Sequence, residues 1–154
     1  MLETPQIVRS TWIRSAVIRL TIPRAEIQQV MGAAIQELMA GLSAQGITPA
    51  GPLYSYHRRM DPEVFDLEVG VPIASPVTPA GRIRAGELPA TRVAHAVYRG
   101  PYEGLAGAWG ELDRWLAEAG HTPRPDLWEC YVAGPETSAD PADWRTELNR
   151  PLAD

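Results

Sequence analysis

Apolar residues recur at helical spacing in two stretches of the chain. In RAEIQQVMGAAIQELMAGLSAQG, Ile27, Met31, Ile35, Leu38 and Leu42 follow one another at intervals of four, four, three and four, which places them on one face of a helix. In PYEGLAGAWGELDRWLAEAG, Leu105, Trp109, Leu112 and Leu116 form the same stripe. Gly46 and Gly120 stop the two helices, and Pro49 and Pro123 lie just beyond. Runs rich in Ile, Val, Thr and aromatic residues predict strands around them: one within QIVRSTWIRSAVIRLTI, another in TRVAHAVYRG. A hairpin is expected after each helix, LYSYHR with VFDLEVGVPI and LWECYVAG with DWRTELNRPL.

The two patterns are in register. GITPAGPLYSY (Gly46 to Tyr56) aligns without a gap on GHTPRPDLWEC (Gly120 to Cys130), and the same constant offset carries Met31 onto Leu105 and Leu42 onto Leu116. FDLEVGVPI resembles WRTELNRPL once a longer loop is allowed, which pairs Glu68 with Glu147 and Pro72 with Pro151. The expectation is an α+β fold of two duplicated strand-helix-strand-strand modules with antiparallel sheets, related by a pseudo-two-fold axis. Half one covers about residues 5–73, a Pro/Gly/Ala-rich linker about 74–89 with a short apolar break at Ile83, and half two about 90–152 of a single domain. A module of that size buries little area alone, so the halves are expected to pack together around a central ligand cleft.

Composition narrows the chemistry. A net charge of -5 and a pI near 5.2 argue against general nucleic-acid binding, which needs a basic face. The single cysteine, Cys130, excludes an internal disulfide, and His57, His95 and His121 show no metal-ligand spacing, so neither a metal nor another cofactor is expected. No segment has the length and apolarity of a membrane span, and the N-terminus lacks a signal-peptide core. A cytoplasmic protein with no membrane partner is the expectation. One stretch stands out: LWECYVAGP sets Glu129 between Trp128 and Cys130, two positions from Tyr131. Glu129 and Tyr131 share one face of a strand, Trp128 and Cys130 the other. A carboxylate in dry surroundings is costly unless it is protonated, hydrogen-bonded or paired. A ligand cation would compensate it; so would Arg99 or Arg150 on a wet edge.

YRGPYEGLAGAWGELDRWLAEAG, followed by WECYVAGP and TELNRPL, resembles the GyrI-like small-molecule-binding domain, which is also the effector module of AraC-type and MerR-type multidrug-responsive regulators. The resemblance runs over essentially the whole chain and is most specific at Gly100-Pro101-Tyr102, at Glu129 with Tyr131, and at Glu147 to Leu152. It implies a pocket that closes around lipophilic, often cationic aromatic compounds, with Glu129 inside it and Tyr98 and Tyr102 at its mouth. The first half departs from the pattern, with Ile-Pro-Arg-Ala-Glu where a second Gly-Pro-Tyr lead-in is usual. No helix-turn-helix is read ahead of the domain, so a stand-alone effector-binding form is expected.

The resemblance also implies an enzymatic use of the fold. Some members hydrolyse strained cyclopropane-bearing natural products, and Glu129 with Glu147 and Tyr131 would suit activation of water with acid assistance. A protein-interaction or inhibitor role is the third alternative. Other candidate ligand contacts are Glu68, the counterpart of Glu147; His57, the counterpart of Tyr131; and Trp115, at the edge of the helical stripe. Each has a plain reading beside it: Glu68 and Glu147 as the polar side of alternating strands, His57 as a surface residue, Trp115 as edge packing, Tyr98 and Tyr102 as a hydrophobic staple.

Overall fold

The computed structural model describes residues 1–60, 63–135 and 137–153. In chain order its elements are β1 (Gln6–Arg9), β2 (Ile13–Pro23), α1 (Ile27–Ala44), β3 (Tyr54–Met60), β4 (Val64–Pro72), β5 (Ile83–Leu88), β6 (Arg92–Arg99), α2 (Leu105–Glu118), β7 (Leu127–Ala133) and β8 (Arg145–Pro151). The chain is α+β, and the strand pairings within its two compact units are antiparallel. One unit is Thr11–Ala90; the other joins Met1–Ser10 to Thr91–Asp154.

Within Thr11–Ala90 the strands lie in the order β3, β4, β2, β5. Ala16, Ile18 and Leu20 of β2 and Leu67, Val69 and Val71 of β4 occupy one sheet face, and α1 buries Ala34, Leu38 and Leu42 against them. Complete burial of a leucine contributes about 1.5–3 kcal/mol, so this stripe holds the helix in place more firmly than intrinsic propensity does. Gly46 ends the turn with φ of 69°, and Ile47 N–H donates back to the Leu42 carbonyl.

Within the other unit the order is β1, β6, β8, β7. Ala94, Ala96 and Tyr98 of β6 and Leu148 of β8 face α2, which buries Ala108, Leu112 and Leu116. Gly120, with φ of 80°, ends α2 as Gly46 ends α1. In both units the strand that leads into the helix pairs with the second strand after it, β2 with β4 and β6 with β8.

Two details differ from the sequence reading. The opening apolar run holds the strand expected there, β2, which belongs to Thr11–Ala90, and also a second one, β1, which pairs with β6 through Gln6 opposite His95 and Val8 opposite Val93. Residues 83–88, read as part of a linker, form β5, which pairs along β2 from Ile13 opposite Leu88 to Ile18 opposite Ile83. Ile83 and Leu88 are both buried there, and Gly86 lies so close over Val17 that a β-carbon would have no room. A strand with polar outward positions and a glycine dictated by a neighbour has the composition of a loop. Among the described residues, no helix is long and apolar enough to cross a membrane.

Candidate functional site

The candidate site is built on the helix-facing side of β7 and β8. Antiparallel register puts Glu129 opposite Leu148 and Tyr131 opposite Thr146, and Leu148 is a core residue beneath α2. Glu129 and Tyr131 therefore lie on the face that α2 covers. The Trp109 indole donates a hydrogen bond to the Glu129 carboxylate. One carboxylate oxygen, Oε2, is buried from solvent. Burial raises the Glu129 pKa from 4.5 to about 7, and the Trp109 bond offsets only part of that rise. Arg99 and Arg150, the alternative counter-ions, are engaged elsewhere, Arg99 with Glu3 at 2.6 Å and Arg150 with Asp113 at 3.4 Å.

Aromatic rings continue the site toward the N-terminus of α2. The Tyr102 ring meets Tyr131 edge-on at 5.9 Å and lies 5.0 Å from Trp144, and Tyr102 is 37% exposed. Trp144 is fixed by its indole N–H, which donates to the Ser138 carbonyl at 2.9 Å. Tyr98 has a different place: it is buried in the core, and its hydroxyl donates to the Pro101 carbonyl at 2.9 Å. It fixes the Gly100-Pro101-Tyr102 lead-in from below. A β-carbon on Gly104 would overlap the Tyr98 hydroxyl, so Gly104→Ala is expected to lower stability by about 1–3 kcal/mol in urea denaturation. An unchanged midpoint would show that the lead-in can move.

Other candidate residues lie apart from this cluster. Glu147 is opposite Cys130 and Val97, on the sheet face away from α2, where it sits 3.6 Å from His95 Nε2 and lines a shallow depression with Val97, Arg99, Val132 and Arg145. Glu129 and Glu147 thus project from opposite faces, and the acid-base pair suggested by the sequence is not brought together. Trp115 is half-buried and stacks on His121 beyond the C-terminal end of α2, whereas Tyr102 precedes the N-terminal end. Along a helix rising 1.5 Å per residue, those ends are roughly 20 Å apart. In Thr11–Ala90, Glu68 is on the face away from α1 and pairs with Arg58 at 3.4 Å. His57 is 6% exposed rather than a surface residue, bonded through Nε2 to Ser55 Oγ at 3.2 Å and edge-on to Phe65. Its pKa falls from 6.5 to about 4, chiefly through burial and then through the charge of Arg24.

Burial first, then Glu147 and Glu129, push the Cys130 thiol up to about 12, so it is a poor nucleophile. Among the described residues, no group of three or more His, Cys, Asp and Glu is arranged to hold a metal ion. Sequence reasoning assigned Trp109 to the core and passed over Trp144 and Thr146. The signal for Trp144 and Thr146 was present: they alternate with Leu148 along one strand direction, two residues apart.

A family model described as the GyrI-like small molecule binding domain matches residues 3–153. No curated protein matches the sequence. Among solved structures, the chain is similar to the EcmrR C-terminal domain, at 19% identity and a TM-score of 0.85, covering 98% of each chain. In a complex of EcmrR with DNA, it spans 57% of the EcmrR chain at 20% identity and a TM-score of 0.83. It is also similar to SAV2435 bound to tetraphenylphosphonium, with 11% identity, a TM-score of 0.64, and coverage of 97% of this chain and 94% of that one. A hydrolase encoded by lin2189 from Listeria innocua has 16% identity and a TM-score of 0.65, with coverage of 97% and 91%. At these identities the structural likenesses speak for the fold.

Proposed function

This chain belongs to the GyrI-like small-molecule-binding domain family, and from that premise we propose that it captures lipophilic aromatic compounds, cationic ones preferentially, on the helix-facing side of β7. The observation that carries the reading is the Glu129 carboxylate, held by the Trp109 indole beside Tyr131 and raised to a pKa of about 7 by burial. A bound cation restores what burial takes from the ionised carboxylate, and the aromatic faces of Tyr131, Tyr102 and Trp144 supply apolar area and cation–π attraction. SAV2435, whose structure contains the lipophilic cation tetraphenylphosphonium, supports this ligand class by analogy of fold.

Binding without turnover is the reading favoured here. Hydrolysis by a pair of carboxylates needs both on one side of the substrate, and Glu147 is on the other side of the sheet from Glu129.

Titration of the intrinsic tryptophan fluorescence tests the proposal, because Trp109 touches the anchor and Trp144 lies in the aromatic cluster. Saturable quenching by tetraphenylphosphonium, with an affinity about tenfold above that for neutral triphenylmethane, which like it has no hydrogen-bonding group, is the expected result. Equal affinities would remove the electrostatic part of the proposal, and absence of saturation by either would remove the site. Product accumulating beyond one equivalent with an electrophilic aromatic ligand would replace binding by catalysis.

A further inference from the structure

Thr146 lies opposite Tyr131 on one side and opposite Tyr98 on the other, in the row of the sheet next to the one that holds Glu129 and Leu148. Its side chain is on the face covered by α2, and the residue is 0% exposed. Its Oγ1 has no hydrogen-bond partner among the described residues. A hydroxyl is one donor and two acceptors, and burying it without a partner is a cost that folding carries.

The fold does not require that cost. In Thr11–Ala90 the place of Thr146 is taken by Leu67, which is opposite His57 as Thr146 is opposite Tyr131, and Leu67 is fully buried in the apolar core. The same sheet position therefore accepts a plain hydrocarbon. Valine, which has the shape of threonine, would fill the Thr146 site without the unmet hydroxyl. What distinguishes Thr146 from Leu67 is the neighbourhood: a carboxylate one row away at Glu129 and the Tyr131–Tyr102–Trp144 aromatic cluster beside it.

From these observations we infer that Thr146 is a specificity-determining residue, and that the site selects aromatic ligands carrying an N–H, O–H or carbonyl-type group beside the aromatic or cationic centre that faces Glu129. The inference rests on the binding reading above and deepens it. Glu129 reads charge, and Thr146 reads a hydrogen-bonding atom. Discrimination is strong when a ligand lacking that atom leaves a buried protein group unmet, which is the condition at Thr146.

The test compares wild type with Thr146→Val and Thr146→Ser for three probes. Tetraphenylphosphonium has no hydrogen-bonding group, ethidium carries two aromatic amines, and triphenylphosphine oxide presents a strong acceptor. Thr146→Val is expected to weaken ethidium or triphenylphosphine oxide about tenfold while leaving tetraphenylphosphonium within twofold, and Thr146→Ser is expected to keep the polar probe bound as in wild type. The ligand-free Thr146→Val protein is expected to melt at or above the wild-type temperature.

Equal ratios for all three probes, or a lower melting temperature for the valine variant, would overturn the inference, the latter because the hydroxyl would then be satisfied within the free protein. Failure of every probe to bind wild-type protein would overturn the binding reading itself and this inference with it. The melting comparison is independent of any ligand and separates the two failures.

Discussion

Glu129→Gln is expected to stabilise the free protein above pH 7, by up to about 3 kcal/mol, and to turn a nearly flat pH dependence below pH 6.5 into one that rises with pH. The carboxyl group titrates near 7 in the folded chain and near 4.5 when unfolded. Between those values the unfolded chain has lost the proton and the folded chain keeps it, so stability falls as pH rises and stays low above 7. A difference of that size corresponds to about 3 kcal/mol, at 1.36 kcal/mol per pH unit. Glutamine removes the ionisation and still accepts the Trp109 N–H.

His57 makes the change visible. Its imidazole titrates near 6.5 unfolded and near 4 folded, because burial and Arg24 disfavour its cation. Between those values the unfolded chain binds the extra proton, so stability rises with pH and is fully present above about 6.5. In wild type the two groups oppose one another across roughly pH 4.5–6.5, and their joint contribution is nearly flat. In Glu129→Gln only the His57 slope remains, so stability climbs with pH to about 6.5 and then levels off. Urea denaturation of both proteins from pH 4 to 8 checks this. Parallel curves would mean that Glu129 is solvated in the folded chain and carries no burial cost.

Much of this architecture is written in short-range pattern. The stripes Ile27–Leu42 and Leu105–Leu116 give both helices, and Gly46 and Gly120 give their ends, because helical periodicity and left-handed stops are local properties. Alternation on β7 likewise places Glu129 and Tyr131 on one face. Pairing between distant segments is not local. Nothing in Gln6–Arg9 specifies that it joins β6, some 80 residues on, or that Ile83–Leu88 pairs with β2.

The same reason hides the position of Glu147. It faces away from Glu129 because Leu148, not Glu147, is opposite Glu129, and one residue of register decides the face. Trp109 was hidden differently. Its match to Ile35 makes it an apolar member of the stripe, and its indole N–H acquires a role only because β7 brings a carboxylate beneath the helix. His57, by contrast, is buried by Phe65 and the sheet, which single-strand alternation does not reveal.

The second large effect concerns affinity, and its origin is the same carboxyl group. A cation gains from Glu129 only when the group is ionised, so the apparent affinity scales with the ionised fraction. With a pKa of about 7, that fraction is about one tenth at pH 6 and nine tenths at pH 8. Cation binding is expected to draw the proton off, just as burial held it on, with about nine tenths of a proton released per ligand bound at pH 6. A neutral aromatic ligand gains nothing from the ionisation and is expected to bind equally, or slightly better, at pH 6.

The most direct measurement is therefore the dissociation constant of tetraphenylphosphonium at pH 6 and pH 8, for wild type and Glu129→Gln at constant ionic strength. A wild-type affinity about tenfold higher at pH 8, with a glutamine variant that is weak and indifferent to pH, is the result expected of a buried carboxylate that reads charge. Wild-type and variant affinities that match at both pH values would contradict it, and would remove Glu129 from ligand recognition.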